Sequence, residues 1–256
     1  MVRGLYSSAS GMITKQAQME ALSNNISNMN TIGFKRDKVI TKPFEEVMLV
    51  NKDKYVGGKP FKRKIGSMGF GVGIDEVVTS FEQGFLEETG RNLDFAIEGD
   101  GFFTLADGNG NEKYSRDGRF KIDENGYLTN SDGLRVIGMD PNGSKAEIRV
   151  SNPDFKISND GYFDSVNGRT KFCISHFQDS KALTKNAENT YTSNGQLAYN
   201  GTAKIHQCFV ERSNVDAIEA ITDMLTISRS YESNQKVLQQ IDETIGKAVN
   251  EVGSIR

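Results

Sequence analysis

Ser23-Asn24-Asn25-Ile26-Ser27-Asn28-Met29-Asn30-Thr31-Ile32-Gly33-Phe34-Lys35 follows a stretch with helical periodicity and places four asparagines between positions 24 and 30. Asparagine tolerates the left-handed backbone that ends helices, and its amide bonds both to nearby backbone and to other groups. The run predicts a helix that stops here. Asn24, Asn25, Asn28 and Asn30 would satisfy its last carbonyls, and Gly33-Phe34 would turn the chain away.

Upstream of this run, Leu5, Met12, Met19 and Ile26 recur every seven residues, and Leu22 and Met29 widen the stripe. That pattern is a helix of about 25 residues with a coiled-coil-type seam. The C-terminal end repeats it more strongly. Met224, Tyr231, Leu238, Ile245 and Val252 are seven apart, with Ala217, Ala220, Ile227, Ile241 and Ala248 between them. Ser213 and Asn214 supply a cap with Asp216 three residues after Ser213, so a helix is expected from 213 to about Val252, roughly 57 Å long at 1.5 Å per residue. Two seams in one chain either bury each other as an antiparallel pair or mate with other molecules.

Between the ends the texture changes. Asp-Gly or Asn-Gly begins at Asp100, Asp107, Asn109, Asp117, Asn125, Asp132, Asn142, Asp160, Asn167, Asn194 and Asn200, each a hairpin-turn signal. The intervening segments, 102–106, 119–122, 135–139, 148–150 and 172–177, are short and strand-like, and 73–81 is a further strand. Residues 35–64 are charged and less patterned, and 55–60 reads as an exposed loop. The expected fold is mostly β: a central multi-hairpin all-β domain flanked by long N- and C-terminal coiled-coil-type helices. Its parts are an N-terminal assembly helix (1–34), an extended and strand-bearing connector (35–90), the all-β domain (91–212) and the C-terminal helix (213–256).

The 256 residues carry a net charge of -3, so the overall field gives no reason to expect nucleic acid. No apolar run reaches the roughly 18 to 20 residues that span a bilayer, and the first residues lack the apolar core and cleavage site of a secretion signal. Membrane insertion and cleavable secretion are therefore not expected. Cys173 and Cys208 with His176 and His206 lack structural-zinc spacing, and Cys173 and His176 would point to opposite faces of a strand. Two unlinked buried thiols are expected, with a Cys173–Cys208 disulfide as the alternative. Asp107 to Glu112 starts like a calcium loop, but Glu112 stands where glycine is needed and Gly118 where a bidentate carboxylate is needed. Gly69-Phe-Gly-Val-Gly73 lacks phosphate-loop spacing and serves close backbone packing instead. Glu98 and Asp100 sit among turn glycines, and the basic 59–64 segment reads as a solvated loop. Neither an enzyme nor a bound cofactor or metal is expected. A β-rich adhesin or carbohydrate-binding module oligomerised by its helices is a second reading, with Phe102, Phe103, Tyr127 and Tyr162 as stacking candidates, although their spacing between turns fits core positions better.

Three stretches in order resemble the axial proteins of the bacterial flagellum, the rod and hook family. SNNISNMNTIGFK is similar to its N-terminal pattern SNNIANxNTTGFK. Gly90-Arg-Asn-Leu-Asp-Phe-Ala-Ile-Glu-Gly-Asp-Gly-Phe-Phe103 resembles GNxLDxAIxGxGFF, and 213–237, SNVDAIEAITDMLTISRSYESNQKV, resembles its C-terminal pattern. In length the chain is similar to the distal rod type and its proximal relative. The resemblance implies a structural subunit of the basal-body rod, exported by the flagellar type III apparatus without a cleaved signal. It implies helical polymerisation with copies of itself, other rod subunits and hook or hook-junction proteins, terminal helices inside and β domain outside. The candidate assembly residues are then Leu5, Met12, Met19, Leu22, Ile26, Met224, Ile227, Tyr231, Leu238, Ile241, Ile245 and Val252, together with Asn24, Asn25 and Asn28 at the turn.

Overall fold

The computed structural model describes residues 2–56, 59–108, 110–150, 155–158, 161–166, 168–179, 183–186, 189–193, 199–200 and 203–253. The chain packs as two compact units. One comprises Met1–Ile26, Asp37–Val78 and Ala217–Arg256, the other Ser27–Arg36 and Thr79–Asp216.

The first unit holds helix α1 (Val2–Ser27), strands β1 (Asp37–Pro43), β2 (Val47–Val56), β3 (Lys59–Met68) and β4 (Val72–Thr79), and helix α2 (Ala217–Gly253). Strand β1 pairs with β4. Strands β2 and β3 form a long antiparallel ribbon from Val47↔Met68 to Val56↔Lys59, with irregularities after Leu49 and Asn51. Residues 55, 56, 59 and 60, expected in a loop, are thus strand residues; 57 and 58 lie outside the described residues. The two helices meet in one antiparallel register. A Cβ added to Gly4 would stand 3.1 Å from Ile241 Cδ1, and one on Gly11 would stand 3.0 Å from Asn234 Nδ2. Two glycines seven apart thus face two residues seven apart in reverse order, and the missing side chains let the helices approach. A different side of α1 lies on backbone: Val72 N–H donates to Ser10 Oγ (3.4 Å), and a Cβ on Gly71 would sit 2.3 Å from that oxygen. This is the close packing expected of the glycine-rich run.

The second unit contains β5 (Leu86–Glu88), β6 (Phe95–Glu98), β7 (Phe102–Ala106), β8 (Glu112–Ser115), β9 (Lys121–Ile122), β10 (Leu128–Thr129), β11 (Arg135–Met139), β12 (Lys145–Glu147), β13 (Tyr162–Ser165), β14 (Gly168–Phe172), β15 (Ile174–His176), β16 (Leu183–Lys185), β17 (Tyr191–Ser193), β18 (Tyr199–Asn200), β19 (Lys204–Gln207) and β20 (Phe209–Glu211). A sheet ordered β13-β14-β11-β7-β8-β17-β16 forms its frame, and β19 pairs with β6 and β20 with β5. Turns close as the Asp-Gly and Asn-Gly signals predict: Gly126 N–H donates to Asp123 O and Gly143 N–H to Asp140 O, both at 2.8 Å. The core is aromatic. Phe95, Phe103, Phe120 and Phe172 pack with Leu105, Leu128, Val136 and Ile148, and ring centroids lie 4.9 Å apart for Phe95–Phe172 and 5.2 Å for Phe103–Phe120.

Three expected strands differ. Of 119–122 only β9 is a strand, with Arg119 in an isolated bridge to Asp94. Residues 172–177 split at Cys173, whose N–H bonds to Ile137 O on β11 while its carbonyl accepts from Thr104 on β7, so the chain changes partner there. Residues 148–150 contribute single bonds and the Tyr127↔Arg149 bridge instead of a strand. Helix α2 starts at Ala217, not 213, because Asn214 is committed elsewhere: its Oδ1 accepts from Arg36 N (2.8 Å) and its Nδ2 donates to Ser80 O (3.0 Å).

Candidate assembly surface

A helix rotates about 100° per residue, so one face recurs every three to four positions. On α1 the seam residues Leu5, Met12, Met19, Leu22 and Ile26 are half-buried, as are Met224, Ile227, Tyr231, Leu238, Ile241 and Ile245 on α2. Val252 belongs to the helix backbone, and its side chain lies outside the described residues. Ile241 is the seam residue that the helix contact brings against α1, at Gly4. Gly4 and Gly11 were missed as contact positions; their seven-residue spacing was the signal.

A second apolar stripe also escaped the heptad count. Ile218, Ile221 and Leu225 on α2 are 79%, 53% and 56% exposed, and Tyr6 and Ile13 on α1 are 65% and 63% exposed. Their spacings of three, four and seven are helical, so the signal was present but displaced from the stronger seam. Along α2, Asp223, Arg229, Glu232, Lys236, Asp242, Glu243 and Lys247 make no ion pair among the described residues.

The asparagine run divides its work. Helix α1 ends at Ser27, and the buried Asn25 does not serve helix carbonyls: its Nδ2 donates to Asp37 O (2.8 Å) and its Oδ1 accepts from Asp37 N (2.9 Å). One side chain thus copies the two-bond pairing of a β ladder and holds the point where the chain re-enters the first unit after residues 27–36. Asn28 makes the turn, its carbonyl accepting from Thr31 N (3.0 Å) and its Oδ1 from Thr31 Oγ1 (3.2 Å). Asn24 and Asn30 are exposed. Gly33 has φ of +69°, and a Cβ there would stand 2.4 Å from Asp117 N, so the turn requires glycine for both conformation and space.

Beyond this turn the second unit encloses a charged cluster that sequence reading did not single out. Lys35 Nζ reaches Glu211 Oε1 and Glu82 O, each at 2.6 Å, while Arg116 Nη1 donates to Glu211 Oε2 (3.2 Å) and Gly84 N–H to Oε1 (2.9 Å). Gly33 N–H donates to Glu211 O (2.8 Å). The side chains of Lys35, Arg116 and Glu211 are all at most 2% exposed. Burial pushes the Lys35 ammonium below its ordinary range, and the Glu211 carboxylate opposes that shift. A charged residue closing the apolar strand Phe209–Glu211 was the available clue. The cluster joins residues from positions 33 to 211 in one buried node.

The remaining candidates sort as packing and surface groups. Cys173 is buried and Cys208 half-buried with φ of +66°, and both are free thiols, so no disulfide joins them. Among the described residues no group of three or more potential ligands is placed to hold a metal ion, and no helix is long and apolar enough to cross a membrane. Phe102 and Phe103 are core residues. Tyr127 lies under the Arg135 and Arg149 guanidinium groups, and Tyr162 under Arg169 and Lys171, so those rings are engaged within the chain.

Three family descriptions match successive parts of the chain: Flagella basal body rod protein over residues 5–35, Flagellar hook protein FlgE/F/G D1 domain over 96–165, and Flagellar basal body rod FlgEFG protein C-terminal over 206–251. The flagellar basal-body rod protein FlgG of Bacillus subtilis (strain 168) is 32% identical over 98% of this chain and 99% of its own length. From the same organism, the flagellar hook-basal body complex protein FlhO is 31% identical over the whole of both chains. The flagellar basal-body rod protein FlgF of Caulobacter vibrioides is likewise 31% identical over the whole of both.

Proposed function

The chain belongs to the flagellar basal-body rod protein family, and from that premise we propose that it polymerises through its terminal helices into a torque-bearing section of the rod. It is a structural subunit of the flagellar basal body, where rod and hook components are its partners. Relatives named FlgG and FlgF are almost equally similar, so identity does not divide one rod type from the other.

The observation that carries the reading is the unfinished burial of α1 and α2. Seam side chains that a finished core would enclose remain half-buried, and a second apolar stripe stands open. Copies of the chain supply the missing cover, a fully exposed side chain contributing roughly 1.5 to 3 kcal/mol when enclosed and a half-buried one part of that, whereas an exposed ion pair gives about 0 to 1 kcal/mol. Many such contacts resist slip under torque better than a few ion pairs. Asn28 makes the turn by which the chain departs, Asn25 anchors its return at Asp37, and the exposed Asn24 meets a neighbouring copy. The reading includes passage through the flagellar type III export apparatus before assembly and requires neither catalysis, cofactor nor nucleic acid.

Polymerisation of the purified chain, followed by light scattering and electron microscopy, tests it. Met12→Asp combined with Leu238→Asp should leave the β-sheet circular dichroism intact and abolish rods. Normal rods from that double variant would refute assembly through the helices.

A further inference from the structure

The paired helices enclose an open polar cleft that the apolar seam does not explain. Lys15, Thr226, Arg229, Ser230, Ser233 and Asn234 line a space of about 550 Å³, and no carboxylate is among them. Thr226 and Ser230 donate their hydroxyl protons to carbonyls of their own helix, Thr222 O (2.9 Å) and Thr226 O (2.8 Å). Ser233 and Asn234 add neutral donors, and the charged groups among the lining residues, Lys15 and Arg229, are both cations. Lys15 Nζ bonds the neutral Gln18 amide at 3.1 Å, and Arg229 has no ion pair among the described residues. A guanidinium with five N–H donors beside an ammonium is suited to a carboxylate, which it can grip at two points.

We propose that this cleft receives a carboxylate from helix α2 of a second copy of the chain. The inference rests on the rod-subunit reading and names the polar lock of that same assembly. Charge complementarity selects the occupant: α2 itself carries Asp223, Glu232, Asp242 and Glu243 without ion partners in the described structure, so one helix displays both halves of the contact. The apolar surfaces supply adhesion, and the lock fixes the register between neighbouring helices, because a shifted copy would bring like charges together.

The test is polymerisation of the full chain carrying Arg229→Glu, alone and with each of Asp223→Lys, Glu232→Lys, Asp242→Lys and Glu243→Lys. Arg229 is exposed, and circular dichroism checks that every variant keeps its helices. The single variant should raise the concentration needed for rods by about tenfold or more, and one of the double variants should bring it back towards wild type. Wild-type-like assembly of Arg229→Glu, or rescue by none of the four reversals, overturns the proposal. So does tight binding of inorganic phosphate to the wild-type monomer that Arg229→Glu abolishes, which would make the cleft a small-anion site. A wild-type chain that forms no rods defeats the rod-subunit reading and this proposal with it, and shows itself before any variant is made.

Discussion

Phe95, Phe103 and Phe120 are at most 1% exposed, whereas Ile218 and Leu225 on α2, apolar residues of comparable purpose, are 79% and 56% exposed. The unit spanning Thr79–Asp216 completes its core within one chain; the terminal helices do not. Apolar burial is worth about 25 cal/mol per Å², so the first pattern stabilises a monomer, and the second is the reserve of free energy that the proposed association would draw on. On the proposed assembly through the helices, folding and assembly are written in different parts of the sequence, and substitutions should separate them.

The largest effects belong to the β unit. Glu211→Ala leaves Lys35 and Arg116 buried without their shared carboxylate, and the expected loss is about 3 to 5 kcal/mol of unfolding free energy in urea titrations. Phe103→Ala should cost a similar amount, about 3 to 5 kcal/mol, by opening a cavity among the Phe120, Phe172 and Phe95 rings. A loss under about 1 kcal/mol in either case would mean that this unit is as incomplete as the helices, and the contrast would collapse.

A smaller effect is expected at Asn25, the anchor of the helical unit. Asn25→Leu strands the backbone N–H and carbonyl of Asp37, and about 2 to 3 kcal/mol of local stability should be lost. Hydrogen exchange at the amides of residues 37–42 reads this directly, while the Phe103 region should keep its protection. Equal deprotection of both regions would show that the two units unfold together.

Much of this contrast was legible in the sequence. The seven-residue repeats located both helices, and the Asp-Gly and Asn-Gly dipeptides located the β turns, because each signal depends on local backbone geometry. The ribbon of β2 and β3 was harder to read. Residues 35–64 are charged and lack alternation, so 55–60 read as an exposed loop. Asn25 was picked out for the right amide chemistry but given a helix-capping role, since its partner lies twelve residues away at Asp37 and no local rule specifies that distance. The Lys35–Glu211 pair, separated by 176 positions, left only the charged end of the apolar strand Phe209–Glu211 as a clue, with nothing local to name its partner.

Leu238 sharpens the difference from the other side. It is half-buried, so Leu238→Ala should reduce monomer stability by about 1 kcal/mol yet impair rod formation in the scattering assay far more than Phe103→Ala impairs it per kcal/mol lost. Proportional effects of the two substitutions on stability and assembly would erase the division of labour.

The smallest expected effect tests the surface of the β unit. His206 Nε2 lies 2.6 Å from Glu98 Oε2 and Lys204 Nζ 3.2 Å from it, and hydrogen bonds from these groups, His206 first, hold the Glu98 carboxyl below the usual carboxylate range. A depressed carboxyl in the folded state contributes stability above its unfolded pKa, and that contribution disappears as pH falls through the folded value. Urea midpoints of the wild type should therefore decline between neutral pH and the acid side of the carboxylate range, and Glu98→Gln should make that decline slightly shallower while leaving rod formation unchanged. Because Glu98 is exposed, solvent screens the contacts and the change should remain small beside that of the buried Glu211. A large acid-dependent loss traced to Glu98 would show that this edge, and not only the interior, carries the stability of the β unit.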